Sequence, residues 1–390
     1  MAEDLLEQRK NDFIKAVDFG RPEKIPVDIE ITGWPFAYAG TTFDEVKDEP
    51  GRAAKAYTSF LDDIPVDCFI LDAGFIRRPD VYQAMGSYEY VLGGDGITIQ
   101  HNQAGADFMD ESEYDELIRD FTAFYRKKKL LKVPALDWGK EELYEAMKLA
   151  AKRTAVHNEF RSLVDGEFER RQILMPLGFT MPSYASALNT LFDVLRGIKG
   201  TLIDLRRRPD KVREACAAIR EANRRNWDPK DYEGKSFPMG RTVYHSECFL
   251  SPKQYDEFFF NDFEKDMRPL MEAGVNIFLK GEGMFLSTLD RLCDLPKGGM
   301  LVMLDQDDPF EAHRIIGGCQ ALAAGITVDL LKYGTEEECV DYAKRAFDTF
   351  APGGGFVFSI NKPLLCANDA RNENVRAVYG FADEYSRRKL

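Results

Sequence analysis

Lys280 and Glu282 stand two residues apart in the segment VNIFLKGEG, and Asp305, Asp307 and Asp308 crowd the end of MLVMLDQDD. Each set follows directly on a short apolar run, as Asn361 does in GFVFSINKP. A buried lysine releases its proton more readily than one in water, so Lys280 suits a general acid or an anion anchor. Glu282 lies between Gly281 and Gly283, where the missing Cβ lets a ligand approach the backbone closely. Asp308 precedes Pro309 and reads as a helix cap, but three carboxylates in one place exceed what a cap requires. His245 and Cys248 in VYHSECF close another apolar run, and Cys366 follows a further one in NKPLLCAND.

Short apolar runs of this kind read as strands buried on both faces, and intervening helices make them parallel. Four occur in the last third of the chain, at residues 275–283, 300–308, 321–327 and 355–363. Earlier candidates are VDIEI (27–31), CFILDA (68–73), ILMPLGF (173–179) and FPMGRTVYH (237–245). The expected fold is an α/β (β/α)8 TIM barrel with N-terminal helices, and with a hairpin inserted over residues 86–109 around a GGDG turn. In such a barrel chemistry sits where strands end, which is where the residues above fall. Helix starts at Ser251 and Thr335 carry Gln or Glu three positions on, the pattern of a capping box. No linker or low-complexity tract divides the chain, so a single domain is expected over residues 1–390.

Hydrophobic residues at 44% and charged residues at 30% fit a globular enzyme. A formal charge of −14 argues against a nucleic-acid surface, and the basic run RKKKLLK (126–132) reads as a solvated helix end. With neither an apolar signal core at the start nor an uninterrupted apolar stretch of about 18 residues, the expected place is the cytoplasm, away from membranes. Seven cysteines without CxxC pairing predict no disulfide framework, and Cys68, Cys216 and Cys339 read as buried small hydrophobes.

From GRPEKIPV through LGFTMPSYASALNTL and FLSPKQYDEFFFNDFEKDMRPLMEAGVNIFLKGEG to GGGFVFSINKPLLCANDARNENVRAVYGF, the chain resembles the uroporphyrinogen decarboxylase superfamily. That superfamily holds decarboxylases of haem biosynthesis and cobalamin-dependent methyltransferases, both on (β/α)8 barrels. The decarboxylases grip their polyacid with an arginine-rich segment near the first strand. The matching VDIEITGWPFAYAG has no arginine, and bidentate arginine contacts are not easily replaced. The resemblance therefore points to the methyltransferase branch. It implies a zinc site from an HxC pair, which falls on Lys280-Gly281-Glu282, and a later cysteine, which falls on Cys366. His245 would complete a His245, Glu282, Cys366 set. It also implies a substrate-facing aspartate at Asp72.

The expected activity moves a methyl group from a small methylated donor to the cob(I)alamin of a separate corrinoid protein, because the chain has no DxHxxG motif to hold the cofactor. Lys280, Glu282, Asp72 and Asp305 are the expected catalytic residues. Trp34, Phe75, Phe179, Tyr184 and Tyr244, with Asn361, are expected to line a donor site, which favours an aromatic methyl ether over methanol, methylamines or thiols. Two alternatives stand beside this: a decarboxylase of the uroporphyrinogen type, and a non-catalytic barrel that only binds a corrinoid protein.

Overall fold

The structure is a computed structural model that describes residues 2–70, 78–102, 108–176, 183–224, 228–233 and 239–387. It is an α/β fold built on a six-stranded parallel sheet with a separate two-stranded hairpin. The hairpin pairs β1 (Tyr90–Leu92) antiparallel with β2 (Ile99–His101), as the GGDG turn predicts. The parallel sheet follows chain order: β3 (Ser183–Tyr184), β4 (Met239–Tyr244), β5 (Asn276–Gly281), β6 (Met300–Leu304), β7 (Ala321–Ile326) and β8 (Phe356–Ile360). Both predicted capping boxes are present, Ser251 with Gln254 and Thr335 with Glu338.

Period-2 alternation sorts the side chains onto two faces. Ile277, Leu279, Met300, Val302, Leu322, Ile326, Phe356 and Phe358 face outward into the main core, against helices such as Asn261–Glu272 and Glu336–Phe350. Met239, Phe278, Leu301, Met303, Ala321, Ala323 and Val357 face inward and form a second apolar cluster with Cys68, Ile70 and Leu174. Phe13, Ala16 and Val17 of the first helix, Ala2–Val17, belong to this inner cluster.

The three earliest expected strands are the main departure from the sequence reading. Among the described residues they make only isolated parallel bridges: Val27 to Phe358 of β8, Asp28 to Cys68, Ile31 to Leu364, and Cys68 to Leu174. Aspartates take backbone N–H groups that a regular ladder would use. Ile70 donates its N–H to Asp28 Oδ1 at 2.7 Å, and Val27 donates to Asp67 Oδ2 at 3.1 Å. The bridges continue the parallel order beyond β8, and residues 177–182, between Leu174 and β3, lie outside the described residues.

Two smaller expectations are corrected. The basic run does end a helix, Phe121–Leu130, with Arg126 and Lys127 exposed, but it is not solvated throughout: Lys128 is buried against Glu113 at 2.7 Å, and Lys132 pairs with Glu89 at 3.5 Å. Cys293 and Cys319 form a disulfide, while Cys68, Cys216 and Cys339 are free and buried as expected. No described helix is long and apolar enough to cross a membrane.

Candidate active site

The segment VDIEI turns its apolar residues outward and its two acids inward. Val27, Ile29 and Ile31 join the outer core, and Asp28 and Glu30 point the other way, 1% and 9% exposed. On β5 the same alternation turns Lys280 inward, where it is 4% exposed. Its Nζ donates to both carboxylate oxygens of Glu30. The segment of Glu30 stands beyond β8, so the pair spans the inner face from β5 across the positions of β6, β7 and β8. An ion pair so buried needs both members, since either alone would be an uncompensated charge. Burial pushes the Glu30 carboxyl up, opposed by the Lys280 ammonium. Asp28 accepts from Ser359 Oγ and from the Ile70 N–H, and burial pushes it up to about 7.

Above this pair, the Glu282 N–H donates to the Tyr244 carbonyl at 2.8 Å, continuing the ladder. The half-buried Glu282 is close enough for its charge to act on Glu30 and on His245. His245 Nδ1 lies 2.9 Å from Asp193, and the hydrogen bond to that carboxylate, aided by its charge and opposed by burial, raises the imidazole above its ordinary value. Next to it Glu247 is buried, accepts from Ser186 Oγ at 3.0 Å and from the His245 N–H at 2.7 Å, and is pushed up to about 7 by burial.

The aspartate cluster serves the backbone. Asp305 Oδ1 accepts from the Gly283 N–H at 2.7 Å, Asp307 Oδ2 from the Phe285 N–H at 2.6 Å, and Asp308 caps the helix Pro309–Ile316 through Phe310 and Glu311. Asn361 Nδ2 donates to the Asp305 carbonyl at 2.7 Å and its Oδ1 accepts from the Val328 N–H at 2.9 Å. It braces the ends of β6, β7 and β8 rather than presenting a free amide to a substrate.

The aromatic residues expected around a donor fall elsewhere. Tyr184 donates to Asp266 at 3.0 Å and packs on Phe263, while Tyr244 packs on Tyr255, Phe259 and Phe263, so both face the outer helices. Trp34 is fully buried against Tyr38 and Phe60. Asp72, Phe75 and Phe179 lie outside the described residues.

The expected metal set is not assembled. Cys366 donates from Sγ to Asp369 at 3.2 Å, and its N–H donates to the same carboxylate at 2.8 Å, which ties it into its own loop. Among the described residues, no group of three or more His, Cys, Asp and Glu side chains is placed to hold a metal ion. His245, Glu282 and Cys366 as arranged do not fit a zinc centre. What the inner face offers is a buried ammonium held by a carboxylate, two further acids of raised affinity for protons, and a His–Asp pair: groups for proton transfer.

Glu30, Asp28 and Asp193 are the residues that sequence reasoning missed. The first two had a signal in the sequence, since acids alternating with β-branched residues in VDIEI can only turn inward if the apolar side faces helices.

No protein-family profile matches the chain, and no curated protein matches it. Among solved structures, a methyltransferase from Methanosarcina mazei superposes with a TM-score of 0.56 at 15% sequence identity, covering 97% of this chain and 98% of its own. At that identity the likeness is one of fold.

Proposed function

We propose that this chain is a methyltransferase of the corrinoid-dependent branch of the uroporphyrinogen decarboxylase superfamily. In this reading the parallel order closes into a single (β/α)8 barrel, which the Lys280–Glu30 pair supports by joining β5 to the segment beyond β8. The observation that carries the reading is the end-to-end fold likeness to a methyltransferase. The proton-transfer groups inside the sheet supply its chemistry.

A methyl ether donor has a poor leaving group. The carbon–oxygen bond breaks with its electron pair going to oxygen, so the barrier falls if a proton arrives at that oxygen as charge develops. Lys280 can offer such a proton from Nζ, and Glu30 orients it until the donor oxygen takes over as partner. Glu282 and the His245–Asp193 pair stand nearby to return a proton after turnover. The methyl acceptor is the cob(I)alamin of a separate corrinoid protein, which supplies the nucleophile.

The experiment mixes the purified chain with a reduced corrinoid protein and a panel of methyl ethers, methylamines, thiols and methanol, following the absorbance change from cob(I)alamin to methylcobalamin. Turnover of a methyl ether is expected, with Lys280→Gln slowing kcat by about a hundredfold or more, the range of lost acid–base catalysis. Turnover of no donor, with carbon dioxide released from a carboxylated substrate, would assign the decarboxylase branch instead.

A further inference from the structure

We infer that Lys132 is a nucleophilic lysine, placed in a cavity beside the inserted hairpin to condense with a small uncharged aldehyde as an imine. This goes beyond the methyltransferase reading and does not rest on it. The cavity, of about 220 Å³, is lined by Tyr88 and Glu89 ahead of β1, by His101 at the end of β2, and by Phe108, Leu131 and Lys132. Backbone bonds fix its walls. The Asn102 N–H donates to the Glu89 carbonyl at 2.8 Å, and the Ala135 N–H donates to the Met85 carbonyl at 3.1 Å.

Burial in this segment runs against polarity. Leu130 and Leu131 stand in water, 59% and 60% exposed, while the side chain of Lys132 next to them is 9% exposed. A lysine just past a helix end ordinarily lays its stem on apolar surface and extends its ammonium into solvent. Here Nζ lies 4.5 Å from the centre of the Phe108 ring and 3.5 Å from Glu89 Oε1, and His101 Nε2 lies 3.9 Å from the same oxygen. A surface ion pair is worth little, and turning it inward adds the cost of desolvation, so pairing alone does not account for the inversion. Burial pushes the Lys132 ammonium down from its ordinary value, with Glu89 opposing. Desolvation of this kind is what makes a lysine nucleophilic.

The lining selects the electrophile. Among the described residues that line the cavity, Lys132 is the one lysine or arginine, and Glu89 already faces it, so a phosphate or carboxylate finds no cation of its own. Tyr88, Phe108, Leu131 and Pro134 suit an apolar or aromatic body, and the volume lies below the roughly 300 Å³ at which pockets for drug-sized ligands begin. Glu89 takes a proton from the ammonium, and the freed Nζ lone pair bonds the aldehyde carbon while the carbonyl π pair moves to oxygen, which takes that proton. A second proton passes from nitrogen through Glu89 to the hydroxyl, which leaves as water as the nitrogen lone pair closes the C=N bond. One ammonium and one aldehyde become one iminium and one water, with no change of charge, and the iminium stays paired with Glu89.

Labelling of the full chain with equimolar benzaldehyde and sodium cyanoborohydride tests this, because hydride reduces the imine to a fixed secondary amine that proteolysis and mass spectrometry locate. Lys132 should carry the adduct at least about tenfold above any other lysine, the gain of an amine desolvated in a pocket and held beside a base. The preference should vanish when the chain is labelled unfolded in urea, and Glu89→Gln should slow adduct formation at Lys132 by about tenfold or more, as loss of an acid–base partner does. Adduct spread evenly over the exposed lysines, a preference for Lys132 that persists in urea, or an unchanged rate in a folded Glu89→Gln chain overturns the site. If the glutamine variant loses its cooperative thermal transition, the comparison of native with unfolded labelling decides alone.

Discussion

At the scale of single residues, the Lys280–Glu30 pair makes the sharpest demand on experiment. Lys280→Met leaves Glu30 buried without its partner, and breaking a buried pair in this way costs about 3–5 kcal/mol. The double variant Lys280→Met with Glu30→Leu should regain most of that stability, since apolar replacement of both members is often close to neutral. Denaturant unfolding of the three proteins checks it, and a double variant as unstable as the single one would show that the pair does more than cancel charge. Asp28 makes a second demand, through pH. Its affinity for a proton is higher folded, at about 7, than unfolded, at about 3.8, so the folded state binds more protons between those values. Stability contributed by Asp28 is therefore full below about pH 4 and lost as pH rises through about 7. Asp28→Asn should flatten the decline without abolishing it, because Glu247 titrates with the same sign. An unchanged slope in denaturant series at pH 5, 6 and 7 would remove Asp28 from the account. Both residues were legible as acids in a strand. Their weight was not, because nothing local says that Lys280, 250 positions later, faces Glu30.

At the scale of elements, the loop from Gly281 to Phe285 shows how carboxylates that look catalytic in sequence become scaffold. Asp305 and Asp307 each accept one backbone N–H from it, which fixes the peptide that carries Glu282. Gly283 sits at φ +139, and a Cβ there would come within 2.7 Å of the Cys248 side chain. Gly283→Ala should cost about 1–3 kcal/mol in backbone strain and contact, a loss that a thermal midpoint would register. If instead the variant is as stable as the parent, the loop yields easily and Asp305 does not hold it. The capping boxes at Ser251 and Thr335 were read from sequence because their physics lies within four residues. The direction of Tyr184 and Tyr244 was not. Strand position says that they lie near the sheet's end, but only the register of β4 against its neighbours says which face they take. The bridges that replace the first three strands escaped for a related reason: an aspartate able to take a ladder N–H looks the same in sequence as one exposed to water.

At the scale of the whole molecule, the chain's first helix joins the innermost apolar cluster. Phe13 is 0% exposed, and with Ala16 and Val17 it packs among Met239, Phe278, Leu301 and Val357, which come from four different strands. A helix that fills the inner face of a sheet acts on every strand at once, so its loss should be felt cooperatively rather than as local fraying. Phe13→Ala removes a fully buried ring from that junction and should cost about 3–5 kcal/mol. The same substitution at Phe310, half-buried on an outer helix, should cost less, because its site can collapse toward solvent. Paired denaturant titrations of the two variants compare them under one condition. Equal losses would place the first helix on the periphery. A larger loss at Phe13, with a single unfolding transition, would tie the floor beneath Lys280 to a segment more than two hundred residues away in sequence.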